Sequence, residues 1–164
     1  MSIHGITGRD SASLAEAADA CAPPDGKPGP CRGDMSKPPE CEGLCQRALV
    51  EMGRIDILVN NVGDRGMNIK IEEIPLRTWQ YCVDLNLTHC FLATKIIGGA
   101  MLARRQGGGI INTASISGMI ANRGSAGRHY ETCKGAVIHF TRATAADWAP
   151  HGISASTPSA RACS

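Results

Sequence analysis

The chain has 164 residues, 43% of them hydrophobic, and a formal net charge of +2. That length allows one domain, 1–164, with a sizeable core, and so balanced a charge excludes the electrostatic footprint of a nucleic-acid binder. No cationic, apolar and small-residue succession opens the chain, and the most apolar stretch, residues 90–103, is broken by Lys95, Gly98 and Gly99, so neither a secretory signal nor a membrane span is expected.

The eight cysteines, at 21, 31, 41, 45, 82, 90, 133 and 163, form no paired C-x-x-C framework, which fits reduced thiols in a cytoplasmic protein. Cys41 and Cys45 lack a second ligand pair of suitable spacing, so no metal site is expected. In chain order, residues 2–8 read as the end of a strand, Gly8 to Asp10 as a turn, and the following residues as a helix. Asp10 or Ser11 can cap it, and Leu14, Ala17, Ala18 and Cys21 form its apolar side. Residues 22–40 carry six prolines and three glycines, which leaves room only for a loop and a weak strand near Arg32.

Glu40 to Met52 restores helical periodicity through Leu44, Ala48 and Leu49, and Gly53 is a good stop. Ile55 to Val59 is a compact apolar strand that runs into Asn60, Asn61, Val62 and Gly63. Two amides and a glycine there offer hydrogen bonds and close backbone approach at the carboxyl edge of a sheet, where α/β ligands bind. A long helix is expected from a start near Thr78 through Trp79 to Arg105, with Val83, Leu87, Phe91, Thr94 and Ile97 or Gly98 along one side. Asn86 interrupts that side, and a polar amide there reads first as a satisfied core group.

The densest stretch runs from Gly108 to Lys134. Ile110 and Ile111 form a buried strand, Ser115 and Ser117 lie just past it, and a polar loop leads to a helix carrying Tyr130 and Lys134. Four residues apart, those two side chains share a face. A phenol titrates near 10, too high for a base at neutrality, and a neighbouring ammonium favours the phenolate. A serine hydroxyl aimed at the same point stabilises charge developing on a substrate oxygen. The helix continues to Trp148 and stops at Pro150 and Gly152, before a last strand from Ile153.

Asn60-Asn61-Val62-Gly63, Asn86, Ser115 ahead of Gly118, Tyr130 with Lys134, and residues 136–153 after them together resemble the short-chain dehydrogenase/reductase family. The resemblance covers about residues 7–153. It implies a Rossmann-like doubly wound parallel α/β sheet and an NAD(P)-dependent oxidoreductase that interconverts a small-molecule ketone and a secondary alcohol by hydride transfer. It casts Tyr130 as acid/base and Lys134 as the group that lowers its pKa and holds the nicotinamide ribose. Ser115 becomes the substrate-oxygen donor, with Ser117 open for that role because the interval to Tyr130 is slightly long. Asn86 would hold a relay water. Asn60, Asn61 and Gly63 would border the cofactor, and Asp34 would meet its adenine. Arg9, at the turn where the adenosine 2′ position is read, favours NADP over NAD, with an exposed turn arginine as the other reading. Arg123 and Arg128 read as solvated, although a sugar-acid carboxylate could meet them. Sugar-acid or polyol dehydrogenases are the nearest wording, with 3-oxoacyl reductases next, and the two long helices imply a homo-oligomer.

The departures also carry expectations. No T-G-x-x-x-G-x-G occurs, Thr7-Gly8 is followed by Ser11 to Ser13, Val62 stands where alanine is usual, and SASTPSARACS replaces the family's Pro-Gly segment. The chain therefore reads as a family domain truncated at both ends, lacking the first strand with its phosphate loop and the C-terminal strand. The rival reading is a catalytically silent fragment that acts only as a subunit or interaction piece.

Overall fold

The computed structural model describes residues 5–20, 29–124 and 126–157. The expectations for residues 2–4, Cys21 and the end of SASTPSARACS lie outside these. Short strands alternate with helices: β1 (Gly5–Gly8), α1 (Ser11–Ala20), β2 (Gly29–Arg32), α2 (Pro38–Met52), β3 (Ile57–Asn60), α3 (Leu76–Arg104), β4 (Gly108–Asn112), α4 (Arg128–Trp148) and β5 (Ile153–Ser156). All the pairings are parallel, which an alternating βα chain demands of its crossovers.

Local chemistry sets the boundaries. The Asp10 carboxylate accepts from the Ser13 N–H at 2.8 Å and caps α1. Pro38 opens α2, where a missing N–H costs nothing, and Gly53 closes it at φ 64°. Pro75 presets the start of α3, two residues ahead of the Thr78 expected from the sequence. β3 begins at Ile57 rather than Ile55, because Arg54 turns back onto Asp56, with Nε 2.8 Å from its carboxylate. The Arg104 guanidinium then ties the end of α3 to the Ile55 carbonyl and the Asp56 carboxylate at 3.1 and 2.9 Å.

The strands form two sheets, β1-β2 and β3-β4-β5. Leu58 sits opposite Ile110, and Ile110 opposite Ala155. Among the described residues no strand joins β1 to β3, which agrees with the expectation of an absent central strand. Thr7 of β1 and Leu58, Val59 and Asn60 of β3 instead border a common cavity, floored by Leu44 and Cys45 of α2 and His89 and Ala93 of α3. Ile57 and Val59 are 64% and 55% exposed, each forgoing most of the roughly 1.5–3 kcal/mol that full burial of such a side chain contributes. The core gathers Met35, Leu44, Ile55, Leu92, Ile97, Met101, Ile110 and Ile153.

Helix α3 departs from expectation in two ways. By length and composition it could cross a bilayer, and Gly98 and Gly99 do not break it, but 56% of its most apolar window is buried inside the protein, as in a core helix. It also contains two π-turns, Asp84–Thr88 and Thr94–Gly98. Val83 and Leu87 are consequently half-buried and Phe91 is 47% exposed, while Cys82, Asn86, Cys90, Thr94 and Gly98 face inward. Trp148, at the end of α4, seats its ring on Gly98, where a Cβ would lie 2.5 Å from it.

Candidate active site

The carboxyl ends of β3 and β4 lie side by side, and the loops leaving them meet the first turns of α4. Lys134 is 3% exposed, and its Nζ donates to the Thr113 carbonyl, one residue beyond β4, at 2.9 Å. The same Nζ lies 5.8 Å from the Tyr130 ring centroid, so the i, i+4 spacing places ammonium and phenol together. Burial pushes the Lys134 amine below its ordinary value, opposed by the thiols of Cys90, Cys133 and Cys82. Burial likewise pushes His89 down to about 4, helped by the Lys134 charge, so its imidazole is neutral near pH 7.

Asn86 is fully buried and its amide is committed. Its Oδ1 accepts from the Asp64 N–H at 3.1 Å, and its Nδ2 donates to the carbonyls of Asp64 and Cys82 at 2.9 and 3.0 Å. Those bonds pin the loop after β3 against α3 at a π-turn. Gly63 occupies the resulting gap, where a Cβ would fall 2.9 Å from both Asn86 Oδ1 and Lys134 Nζ. Gly63, Asn86, Lys134 and Tyr130 thus share one corner.

The serines arrive on a short turn, Ile116–Gly118, packed on α4. Ser115 Oγ accepts from the Ser117 N–H at 3.2 Å, which leaves its own proton free to be donated. Ser117 Oγ accepts from Asn122 Nδ2 at 3.0 Å, and Asn122 in turn donates to Glu131 of α4 at 2.8 Å. Ser117 is therefore tied into the loop's own bracing. Arg128 braces the same loop through Glu131 and the Asn122 carbonyl, and Arg123 is exposed.

The Asn60 amide has a partner within the protein. Its Nδ2 donates to Asn112 Oδ1 at 2.8 Å, Asn112 Nδ2 donates to Thr141 Oγ1 at 2.9 Å, and all three residues are buried. This row stitches β3, β4 and α4 together beneath the site. Asn61 stays exposed and accepts from Thr113 Oγ1 at 2.9 Å. Asn112, Thr113 and Thr141 are not singled out by the sequence, although Asn112, a polar side chain at the end of a buried strand, is itself a signal.

Arg9 and Asp34 meet at a second place, the carboxyl ends of β1 and β2. With Arg32, Gly33, Lys37 and Glu40 they line a polar pocket. Arg32 Nε donates to the Arg9 carbonyl at 3.1 Å, and Lys37 pairs with Glu40 at 2.8 Å. Asp34 Oδ1 accepts from both the N–H and the hydroxyl of Ser36. Burial raises the Asp34 carboxyl, but those bonds and the charges of Arg9 and Lys37 outweigh it and leave it below its usual value. Arg32 was read only as part of a strand. Among the described residues no cluster of three or more His, Cys, Asp or Glu gathers as metal ligands.

The two places offer cationic and hydroxyl-binding groups at the carboxyl edge of parallel strands, which is the chemistry of a dinucleotide's two ribose ends. The sequence profile of the short chain dehydrogenase family matches residues 3–159. The chain is 36% identical to a 3-oxoacyl-[acyl-carrier-protein] reductase of Synechocystis over 122 residues, 74% of this chain and 48% of that protein. It superposes on a short-chain dehydrogenase/reductase of Mycobacterium marinum with a TM-score of 0.84 and 37% identity, over 93% of this chain and 62% of the other. A gluconate 5-dehydrogenase of Burkholderia cenocepacia, solved with NADP and tartrate, matches with a TM-score of 0.80 and 26% identity, over 94% and 58%. The chain spans about half the length of the curated relatives it matches. With the profile matched from residue 3 to residue 159 and the fold shared, the chain belongs to the short-chain dehydrogenase family.

Proposed function

We propose that this chain is the catalytic part of an NAD(P)-dependent oxidoreductase that interconverts a ketone and a secondary alcohol. The observation that carries the reading is Lys134 Nζ, buried and held by Thr113, beside the Tyr130 ring. In this reading Tyr130 passes the proton to or from the substrate oxygen. Lys134 sets its ammonium beside the phenol and has donors left for a ribose hydroxyl. Ser115, with its proton free, donates to the same substrate oxygen, and Asn86 shapes the floor through Asp64. The cofactor supplies or accepts the hydride when bound.

Its nicotinamide ribose would lie against Gly63 and Lys134, beside Asn60 and Asn61, and its adenosine end in the pocket of Arg9, Arg32 and Asp34. Two guanidiniums beside the 2′ position suit a phosphate, so NADP is the preferred partner, with NAD the alternative. A sugar-acid, polyol or 3-oxoacyl compound is the substrate class, a homo-oligomer through α3 and α4 the assembly, and the cytoplasm the location. A chain restored to the length of its relatives should oxidise NADPH in the presence of such ketones, and Tyr130→Phe in it should lower turnover at least ~10²-fold while leaving NADPH affinity nearly intact. Undiminished turnover in that variant would remove Tyr130 from the role.

The second reading, a catalytically silent subunit, is favoured by the unjoined edges of β1 and β3. It expects no NADPH binding at all, which fluorescence titration of the unmodified chain distinguishes.

A further inference from the structure

We propose that Thr113 is a positioning residue for Lys134, through a clip that Asn61 closes; this rests on the reading of Lys134 as the group that acts on Tyr130. Lysine brings four rotatable bonds to a site that needs its ammonium at one point, so something must hold the end of the chain. The Thr113 carbonyl does so at 2.9 Å. Thr113 is itself held twice, by the last residue of β3 and by the residue after it. Its N–H donates to the Asn60 carbonyl at 2.9 Å, and its hydroxyl donates to Asn61 Oδ1 at 2.9 Å.

The loop is anchored at both ends. Asn61 is tied to Thr113, Asp64 is tied to Asn86 in both directions, and Gly63 between them lies against Lys134 Nζ. The ammonium therefore sits between a carbonyl fixed from below and a loop fixed from both sides. The hydroxyl is the part of Thr113 that local structure does not require. Valine has the same branched shape without the hydroxyl, and only the hydroxyl reaches Asn61. With one of its three donors on Thr113, Lys134 keeps two for Tyr130 and a cofactor hydroxyl. Its other near neighbours are Cys82 and Cys90 from α3 and Cys133 from α4, with His89 also within reach of its charge. None of these is a carboxylate, so no ion pair substitutes for the clip.

The test uses the purified chain and needs no turnover. Trace acetylation with acetic anhydride at fixed pH, read by peptide mass spectrometry, gives the reactivity of Lys134 relative to exposed Lys95. Thr113→Val and Asn61→Ala should each raise that ratio at least about twofold, the low end of what one hydrogen bond contributes. The double variant should go no further than either single, because both break one link. Thr113→Ser, which keeps the hydroxyl, should behave as the wild type. General loosening is read separately by alkylation of Cys41 and Cys45, which lie buried on α2. Wild-type labelling in Thr113→Val, failure of Thr113→Ser to restore it, multiplying effects in the double variant, or Cys41 and Cys45 rising in step with Lys134 would each overturn the clip. NADPH titration of the same samples separates the two claims. A Lys134 response without NADPH binding supports the clip and counts against the oxidoreductase reading, whereas NADPH binding without the response refutes the clip alone.

Discussion

Gly118→Ala tests whether the serine-bearing turn rests on α4. A Cβ at 118 would lie 2.5 Å from the Lys134 carbonyl carbon and 2.7 Å from both Lys134 O and Gly135 N. All three are backbone atoms of α4, so no side chain can rotate away. The turn must lift by about 0.9 Å to reach the 3.4 Å at which ordinary contact begins. Overpacking of this kind costs about 1–3 kcal/mol. In a domain of this size that corresponds to a fall in melting temperature of roughly 2–12 °C. Gly43→Ala is the control of opposite sign. Gly43 lies within α2 with nothing within 4 Å of its Cβ position, so alanine there should add about 0.5–1 kcal/mol. Differential scanning fluorimetry of both variants beside the wild type reads the two signs. A Gly118→Ala protein melting at or above the wild-type temperature would refute the packing argument, and with it the placement of Ser115 against α4.

Arg9→Asp puts a carboxylate in the pocket beside Asp34, and should reduce preference for NADPH over NADH at least tenfold, by loss of one charge-assisted contact and added repulsion; an unchanged ratio of dissociation constants would make Arg9 a turn residue only. Asn112→Leu leaves Asn60 Nδ2 without its acceptor and Thr141 Oγ1 without a donor, and urea unfolding should show a loss of roughly 2–4 kcal/mol. His89 supplies the pH dependence. Its folded value of about 4 lies below the 6.5 of the free side chain, so the unfolded chain binds the extra proton between those values and stability falls as pH drops through that window. The fall should be about 2 kcal/mol at pH 5 relative to pH 7, and His89→Gln should flatten it in parallel urea titrations.

Much of the site was legible because it is written at fixed spacings. Tyr130 and Lys134 share a face by helical geometry alone, and Asn60 to Gly63 follow an apolar run that could only be a strand end. Ser115 and Ser117 stand just past a strand, and Asn86 interrupts an apolar face; the resemblance added the choice of Ser115 and a role for Asn86. What stayed hidden depends on contacts between elements distant in sequence. Nothing near Asn60 in sequence announces that its amide bonds Asn112, 52 residues away. Thr113 carries no signal on its own, because its part lies in a carbonyl and in a hydroxyl aimed at Asn61. Phe91 was assigned to the core by 3.6-residue periodicity, and the π-turns make that the wrong period for α3.

Those two π-turns also set the phase of α3. Cys82, Asn86, Cys90, Thr94 and Gly98 recur every fourth residue and are all buried. In an ideal α-helix each four-residue step overshoots a full turn by about 40°, so four steps would carry Gly98 about 160° around the axis from Cys82. Gly98 would then point away from Trp148 whenever Asn86 pointed at Asp64. Each π-turn winds more slowly and absorbs part of that overshoot, keeping a polar clamp at one end and a tryptophan seat at the other on a single line. The helix thus works as a vernier. Deleting one residue inside Thr94–Gly98 would leave Asn86 in place and rotate everything downstream by about 100°, taking Gly98 off the indole and Arg104 off Asp56.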